Sequence, residues 1–237
     1  MITKSSSLLL FCLLMGGALA LAQSKPFVWQ PEVDVNYQYN PDWNFNLGMS
    51  YRSVVDLSLG DFQGEINSNH IQWDVMANYR TGFISHLGIG SMYRINQIAG
   101  SNVRNEFRLT EAYSVDISLG RLNLGNRFQA DQRFRFDFNI FRFRYQLSLD
   151  FPWNGDRVDP GEFYSIFSTE SLFSTSSAFG PLWDQRFTGV VGYELSESWK
   201  LQMTFEFRAE GYNVGLIQRY FLYTRVVYSI PRKKPSA

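Results

Sequence analysis

Strict alternation of apolar and polar side chains, sustained over long runs, limits this chain to β-strands with two chemically opposite faces. In residues 27–39 the odd positions are Phe27, Trp29, Pro31, Val33, Val35, Tyr37 and Tyr39, while the even ones from 30 on are Gln30, Glu32, Asp34, Asn36 and Gln38. After Asn40-Pro41-Asp42 the pattern resumes, with Trp43, Phe45, Leu47, Met49 and Tyr51 on one parity and Asn44, Asn46, Ser50 and Arg52 on the other. It is cleanest over 140–151, where Phe141, Phe143, Tyr145, Leu147, Leu149 and Phe151 oppose Arg142, Arg144, Gln146, Ser148 and Asp150.

Further strands with the same pattern are expected at about 66–80, 84–98, 103–119, 122–136, 162–173, 183–195, 198–210 and 214–230, separated by turn signals such as Gly60-Asp61, Thr81-Gly82, Gly120-Arg121, Asn154-Gly155-Asp156 and Gly180-Pro181. These runs far exceed the five or six residues typical of a soluble strand. They suit a tilted membrane-crossing strand of about 9–11 residues with extra length beyond the bilayer.

A soluble sandwich or lipocalin-like barrel would also alternate. It would have to enclose the aromatic face, whereas a membrane barrel turns that face to lipid and lines its interior with the polar one. We therefore expect an all-β fold, a single antiparallel transmembrane β-barrel. Eleven segments can be read, but single-chain bacterial barrels use even strand numbers, so ten or twelve strands are expected. Aromatic girdles at the two interfaces are assigned to Trp29, Tyr39, Trp43, Tyr79, Phe83, Phe151, Trp153, Trp183, Tyr193 and Trp199.

Residues 1–22 read as a cleaved signal peptide. Lys4 gives the positive start, Leu8 to Leu14 the apolar stretch, and Ala20-Leu21-Ala22 the small-residue cleavage site before Gln23. The barrel would then occupy 23–231, with a short basic tail at 232–237. The single cysteine, Cys12, falls in the leader, so no thiol chemistry is expected of the mature chain. With 22 basic and 22 acidic residues in balance, no global field points to nucleic acid. No cofactor or metal is expected. The expected location is the cell outer membrane, and the expected partners are outer-membrane lipids, lipopolysaccharide and the barrel-assembly machinery met during insertion.

Several stretches carry a resemblance: Asn105-Glu106-Phe107-Arg108-Leu109, Arg127 with Asp131-Gln132-Arg133-Phe134, Arg142-Phe143-Arg144-Tyr145, Phe163 to Phe173 with Glu170-Ser171, and Trp183-Asp184-Gln185-Arg186. In these the chain resembles an uncharacterised family of Gram-negative outer-membrane β-barrels. The resemblance implies architecture and location and supplies no activity. The chain departs from it at Asn126, where a histidine is expected before Arg127, and at its Pro-Arg-Lys-Lys tail after Ile230 in place of a terminal aromatic.

Two constellations could carry function. His70 and His86, the only histidines, fall on polar faces and could serve a lipid-directed hydrolase with a serine and an acid. The stronger one is a charged stripe, Glu106, Arg108, Arg127, Asp131, Arg133, Arg135, Asp137, Arg142, Arg144 and Asp150. Facing a lumen, opposite charges would pair, because a lone ion away from water costs several kcal/mol. Arginines outnumber acids there, which favours anions in any aqueous path. A barrel of about eight strands is filled by its side chains, and open porins need about 16–18. The expected function is accordingly structural, or a narrow, charge-lined channel with a largely plugged lumen, and non-enzymatic; the hydrolase is the second reading.

Overall fold

The computed structural model describes residues 27–55, 66–96 and 105–231. The leader at 1–22 and the basic tail lie outside the described residues. All regular structure among the described residues is β: β1 Phe27–Gln38, β2 Trp43–Val55, β3 Ile66–Arg80, β4 Ser85–Asn96, β5 Glu106–Leu119, β6 Leu122–Phe134, β7 Asn139–Pro152, β8 Phe163–Ser176, β9 Leu182–Ser196, β10 Trp199–Glu210 and β11 Ile217–Ser229. Each strand pairs antiparallel with the next, and β1 pairs with β11, so the sheet closes into a barrel.

The strand number is therefore eleven, which corrects the expectation of ten or twelve. All eleven sequence segments form strands; the error lay in imposing an even number. With an odd number the first and last strands run the same way, and β1 meets β11 in parallel from Phe27↔Tyr220 to Asn36↔Ser229. A parallel ladder satisfies backbone N–H and C=O groups as an antiparallel one does, at slightly lower stability per residue. Closure thus needs no even count.

The two ends of the barrel differ. One, the turn end, carries the connections 39–42, 81–84, 120–121, 153–162 and 197–198; the other, the loop end, carries 135–138, 177–181 and 211–216. Local chemistry explains the tight turns. The Asn40 side-chain oxygen accepts the backbone N–H groups of Asp42 (2.9 Å) and Trp43 (2.8 Å), an Asx turn that reverses the chain. Gly120 takes φ +66° between the partners Leu119 and Leu122, a conformation that favours glycine.

Alternation resolves into inside and outside as the pattern demands. Phe143 is 55% exposed and Phe141, Tyr145, Leu147, Val75, Ile89 and Phe187 are exposed with it on the outer surface. Glu106, Asp131, Arg133, Leu172 and Ser174 are buried in the interior. Outer rings pack across strands, as in Trp43–Tyr79 at 4.9 Å, Phe128–Tyr145 at 4.8 Å and Trp199–Tyr228 at 4.6 Å.

Two local irregularities shape the wall. The β1–β2 register skips Gln30 and Pro31, passing from Trp29↔Ser53 to Glu32↔Ser50, where proline has no N–H to give the ladder. The Arg52 Nε–H donates to Gln30 Oε1 at 2.6 Å and ties the strands there by side chains instead. At Gly192 the opposite residue Tyr164 lays its ring over the bare backbone, and an added Cβ would come within 2.1 Å of it. Gly192→Ala should displace that ring and lower stability by about 1–3 kcal/mol, read as a shift in the urea unfolding midpoint.

Candidate functional site

The interior is organised around carboxylates that collect arginines. Glu106 is fully buried: Arg133 donates to it through Nε (2.8 Å) and Nη2 (2.7 Å), Arg108 through Nη2 (2.8 Å) and Arg135 through Nε (2.9 Å). This arrangement answers a problem set by register. Arg108 and Arg133 are direct cross-strand partners, and like charges so placed repel. Glu106, at the start of β5, draws both guanidinium groups onto one carboxylate.

Asp131 forms the next node. It accepts from Thr110 Oγ1 (2.8 Å) and Gln129 Nε2 (2.8 Å) and pairs with Arg144 at 2.7 Å. Arg144 also lies 3.5 Å from Glu170, which binds Arg186 at 3.0 Å. Arg142 donates through Nε to Ser174 Oγ at 2.8 Å. The chain of ion pairs thus runs from β5 round to β9.

On the other side of the barrel lies a second set. Glu206 receives Arg208 and the Tyr223 hydroxyl (2.9 Å), Arg208 stacks on Phe221 at 3.8 Å, and Arg225 pairs with Glu32 and, at 3.1 Å, with Asp34. Arg94 donates to Gln72 Oε1 at 2.7 Å. The sequence stripe missed this half. The same parity was present in β1, β4 and β9 to β11, but charge is sparser there than in β5 to β7.

Of the expected lumen residues, Glu106, Arg108, Arg133, Arg135, Asp131 and Arg144 come together. Arg127 and Asp150 face the interior but form no ion pair or side-chain hydrogen bond among the described residues. β6 ends at Phe134, so Arg135 and Asp137 both lie in the connection 135–138; Arg135 reaches back to Glu106, and Asp137 is exposed.

The histidines are separated along the barrel axis. His70 is buried near the loop end with Nε2 unpartnered. His86 is at the turn end, its Nδ1 3.8 Å from Asp116 Oδ2. No hydrogen bond joins either to a serine hydroxyl among the described residues. Asn126 lies on the outer face and accepts the Tyr145 hydroxyl at 2.9 Å, so that departure from the family pattern falls outside the interior.

The aromatic residues expected as girdles sort unevenly. Tyr39, Trp43, Tyr79, Phe83, Phe151, Trp153, Tyr193 and Trp199 lie at the turn end, whereas Trp29 and Trp183 lie towards the loop end. Trp183 packs on Phe173 at 4.9 Å, and Phe107 on Phe134 at 6.1 Å. Reading strand ends without knowing which way each strand points left these loop-end phenylalanines unassigned.

Filling differs between the halves. Towards the loop end Phe221, Leu172, Ser53, Ser174 and Glu106 are wholly buried. Towards the turn end a cavity of about 1110 Å³ opens among polar side chains, including Asn36, Asn46, Asp74, Gln129, Asp150 and Lys200, and reaches down to Arg108 and Arg144.

A closed all-β barrel with an apolar outer face, a paired ionic interior and a polar chamber at one end is the class of protein these observations define. The chain belongs to the family described as a protein of unknown function (DUF2490), which it matches over residues 28–212. That match spans β1 to β10 and stops before β11. Comparison with curated proteins gives no match.

Removing the central carboxylate should be costly. Glu106→Gln would leave buried guanidinium groups short of a counter-charge, an effect of about 3–5 kcal/mol. Arg127→Gln, which removes a half-buried cation with no ion pair or side-chain hydrogen bond among the described residues, should leave stability unchanged or raise it. Urea unfolding of the two variants side by side checks the contrast.

Proposed function

We propose that this protein is an outer-membrane β-barrel of a Gram-negative envelope, exported by its leader, whose interior is a blind polar chamber and not a through-channel, and that it is not an enzyme. The observation that carries the reading is the inversion of the faces: apolar and aromatic side chains outside, interlocked ions inside. A chain in water would bury the first and solvate the second. In a bilayer no water meets the outer face, so backbone groups must be satisfied internally, and a closed sheet does this.

Lipid would then cover the band that includes Phe45, Leu47, Ile89, Phe143 and Phe187, with Trp43, Tyr79, Tyr193 and Trp199 at the turn-end interface, where amphipathic rings are favoured. Lipopolysaccharide and other outer-membrane lipids are its surroundings, and the barrel-assembly machinery inserts it. The ionic network from Glu106 to Glu170 occupies the cross-section and opposes ion flow. Eleven strands leave only a narrow interior even before these side chains fill it.

Cell fractionation should recover the protein with the outer membrane, and planar bilayers containing it should show no steady conductance. Soluble periplasmic protein, or a stable open channel, would sink the proposal. A substitution separates lipid from water as the outer solvent. Phe143→Arg should cost about 2–4 kcal/mol in a bilayer and reduce the folded, heat-modifiable form on gels. A water-exposed barrel would tolerate it.

A further inference from the structure

Charge is unevenly spread along the wall formed by β5 to β9. Around the carboxylates Glu106, Asp131 and Glu170 gather Arg108, Arg133, Arg135, Arg144 and Arg186. Arg142, which donates to Ser174, and Arg127, which has no ion pair or side-chain hydrogen bond among the described residues, bring the guanidinium groups of this middle belt to seven against three carboxylates. The other inward acids of these strands stand towards the ends: Asp116, Asp150 and Glu194 near the turns, and Asp184 near the loops, where it accepts the Gly211 N–H at 2.8 Å. The surplus of positive charge is therefore central, and the carboxylates at that level do not offset it.

The chamber meets this belt at its floor. On β5 to β7 its lining descends from Asn123 and Asp150 at the mouth to Arg127, Gln129 and Arg144, and then to Thr110 and Arg108, an order fixed by the partners Asn123↔Asp150, Gln129↔Arg144 and Arg108↔Arg133. At the mouth the signs mix: Asp150 and Asp156 line it together with Arg157 and Lys200, the last paired with Glu194. At the floor of this wall every charged lining residue is an arginine. The nearest acids are turned elsewhere. Asp116 directs Oδ1 over Gly125, 3.2 Å from where a Cβ would lie, and Oδ2 towards His86 at 3.8 Å. Asp74 on β3 shares a cross-strand row with Met92 and Arg108, but its carboxyl group folds back over Gly48 on β2, with Oδ2 2.6 Å from the position of a Cβ there. Asp34 is held by Arg225.

Among these floor arginines Arg108 is matched by Glu106 and Arg144 by Asp131 and Glu170, whereas Arg127 has no carboxylate and its buried Nε has no partner. Arg144, opposite Gln129, is its diagonal neighbour across β6 and β7, close enough for long side chains to share one potential. A cation so placed lowers stability unless a counter-ion joins it, the kind of local violation that folded proteins retain at functional sites. We propose that the floor of the chamber binds a small multivalent oxyanion, a phosphate group that is free or carried as an ester of a small polar molecule. The phosphate seats on Arg127, whose planar fork can donate two parallel hydrogen bonds to it, in the added field of Arg144 and Arg108. Valence follows from the surplus: a doubly charged anion leaves the belt still net positive, and it gains more from that field than a monocarboxylate does. The volume of about 1110 Å³ leaves room for the body of an ester, with carboxamides such as Asn36, Asn46 and Gln202 to bond its hydroxyl groups. This inference rests on the blind-chamber reading, since a wide through-channel would pass the anion without holding it.

The test uses the full chain refolded in detergent micelles, with folding verified by heat-modifiable migration, and calorimetric titration at fixed ionic strength with inorganic phosphate, glycerol phosphate and acetate. A phosphate probe is expected to bind at one site, at least about tenfold more tightly than acetate, in line with the net worth of one charged hydrogen bond. Arg127→Gln should fold as the wild type does and bind phosphate at least about tenfold more weakly. Arg127→Lys, which keeps the charge and loses the fork, should fall between the two. Arg157→Gln, in the exposed connection at the mouth, should bind as the wild type does. Whichever phosphate probe binds more tightly identifies the occupant as free ion or ester, and equal binding means that the phosphate group alone is recognised. If neither phosphate probe binds, if acetate binds as tightly, if Arg127→Gln binds phosphate as the wild type does, or if Arg157→Gln loses it to the same extent as Arg127→Gln, the proposal is overturned. Binding in micelles is read independently of fractionation and conductance, so its failure is distinguishable from failure of the membrane and blind-chamber readings.

Discussion

Everything in this molecule depends on the closing ladder between β1 and β11. Ten antiparallel contacts make a long curled ribbon with two free edges, and every free edge is a row of unpaired donors and acceptors open to any other strand. The register from Phe27↔Tyr220 to Asn36↔Ser229 removes both edges at once. It is also the contact of greatest sequence separation, so its loop-closure entropy is the largest in the fold. Side chains reinforce it: Trp29 Nε1–H donates to Thr224 Oγ1 at 3.3 Å, Arg225 engages Glu32 and Asp34, and Phe27 packs on Tyr220.

Once the ribbon closes with its apolar face outward, the interior must be filled by the polar face, and its stability becomes a matter of charge arithmetic at each level. Glu106 is held by Arg108, Arg133 and Arg135; Asp131 by Arg144; Glu170 by Arg144 and Arg186. Arg144 touches two carboxylates and so links strands that share no backbone hydrogen bond. Such a network fixes the angular placement of β5 to β9, because a slip of one residue would send each of these ions to the outer face.

The strands were legible because each is a local pattern. Alternation from Phe141 to Asp150 defines β7 almost to its ends, and the Asn40-Pro41-Asp42 and Gly120-Arg121 turns lie where their chemistry requires. What could not be read was pairing between distant segments. Nothing in residues 27–38 announces β11 as their neighbour, and a general rule about even strand numbers displaced a correct count. The candidate site divides along the same line. That Glu106, Arg108 and Arg133 share a stripe follows from parity. That Glu106 is the hub, that Arg142 turns to Ser174, and that Arg127 and Asp150 find no partner depend on cross-strand register, which one strand's sequence does not contain.

The uneven filling of the interior gives the barrel a direction. On the blind-chamber reading proposed above, a vessel stoppered towards the loops and open at the turns exchanges solute through a single mouth. Its occupancy at equilibrium is then fixed by the activity of that solute on one side alone, however steep the difference maintained across the wall. Such a compartment cannot dissipate a gradient; it can only sample, hold and return what reaches it from the side it faces.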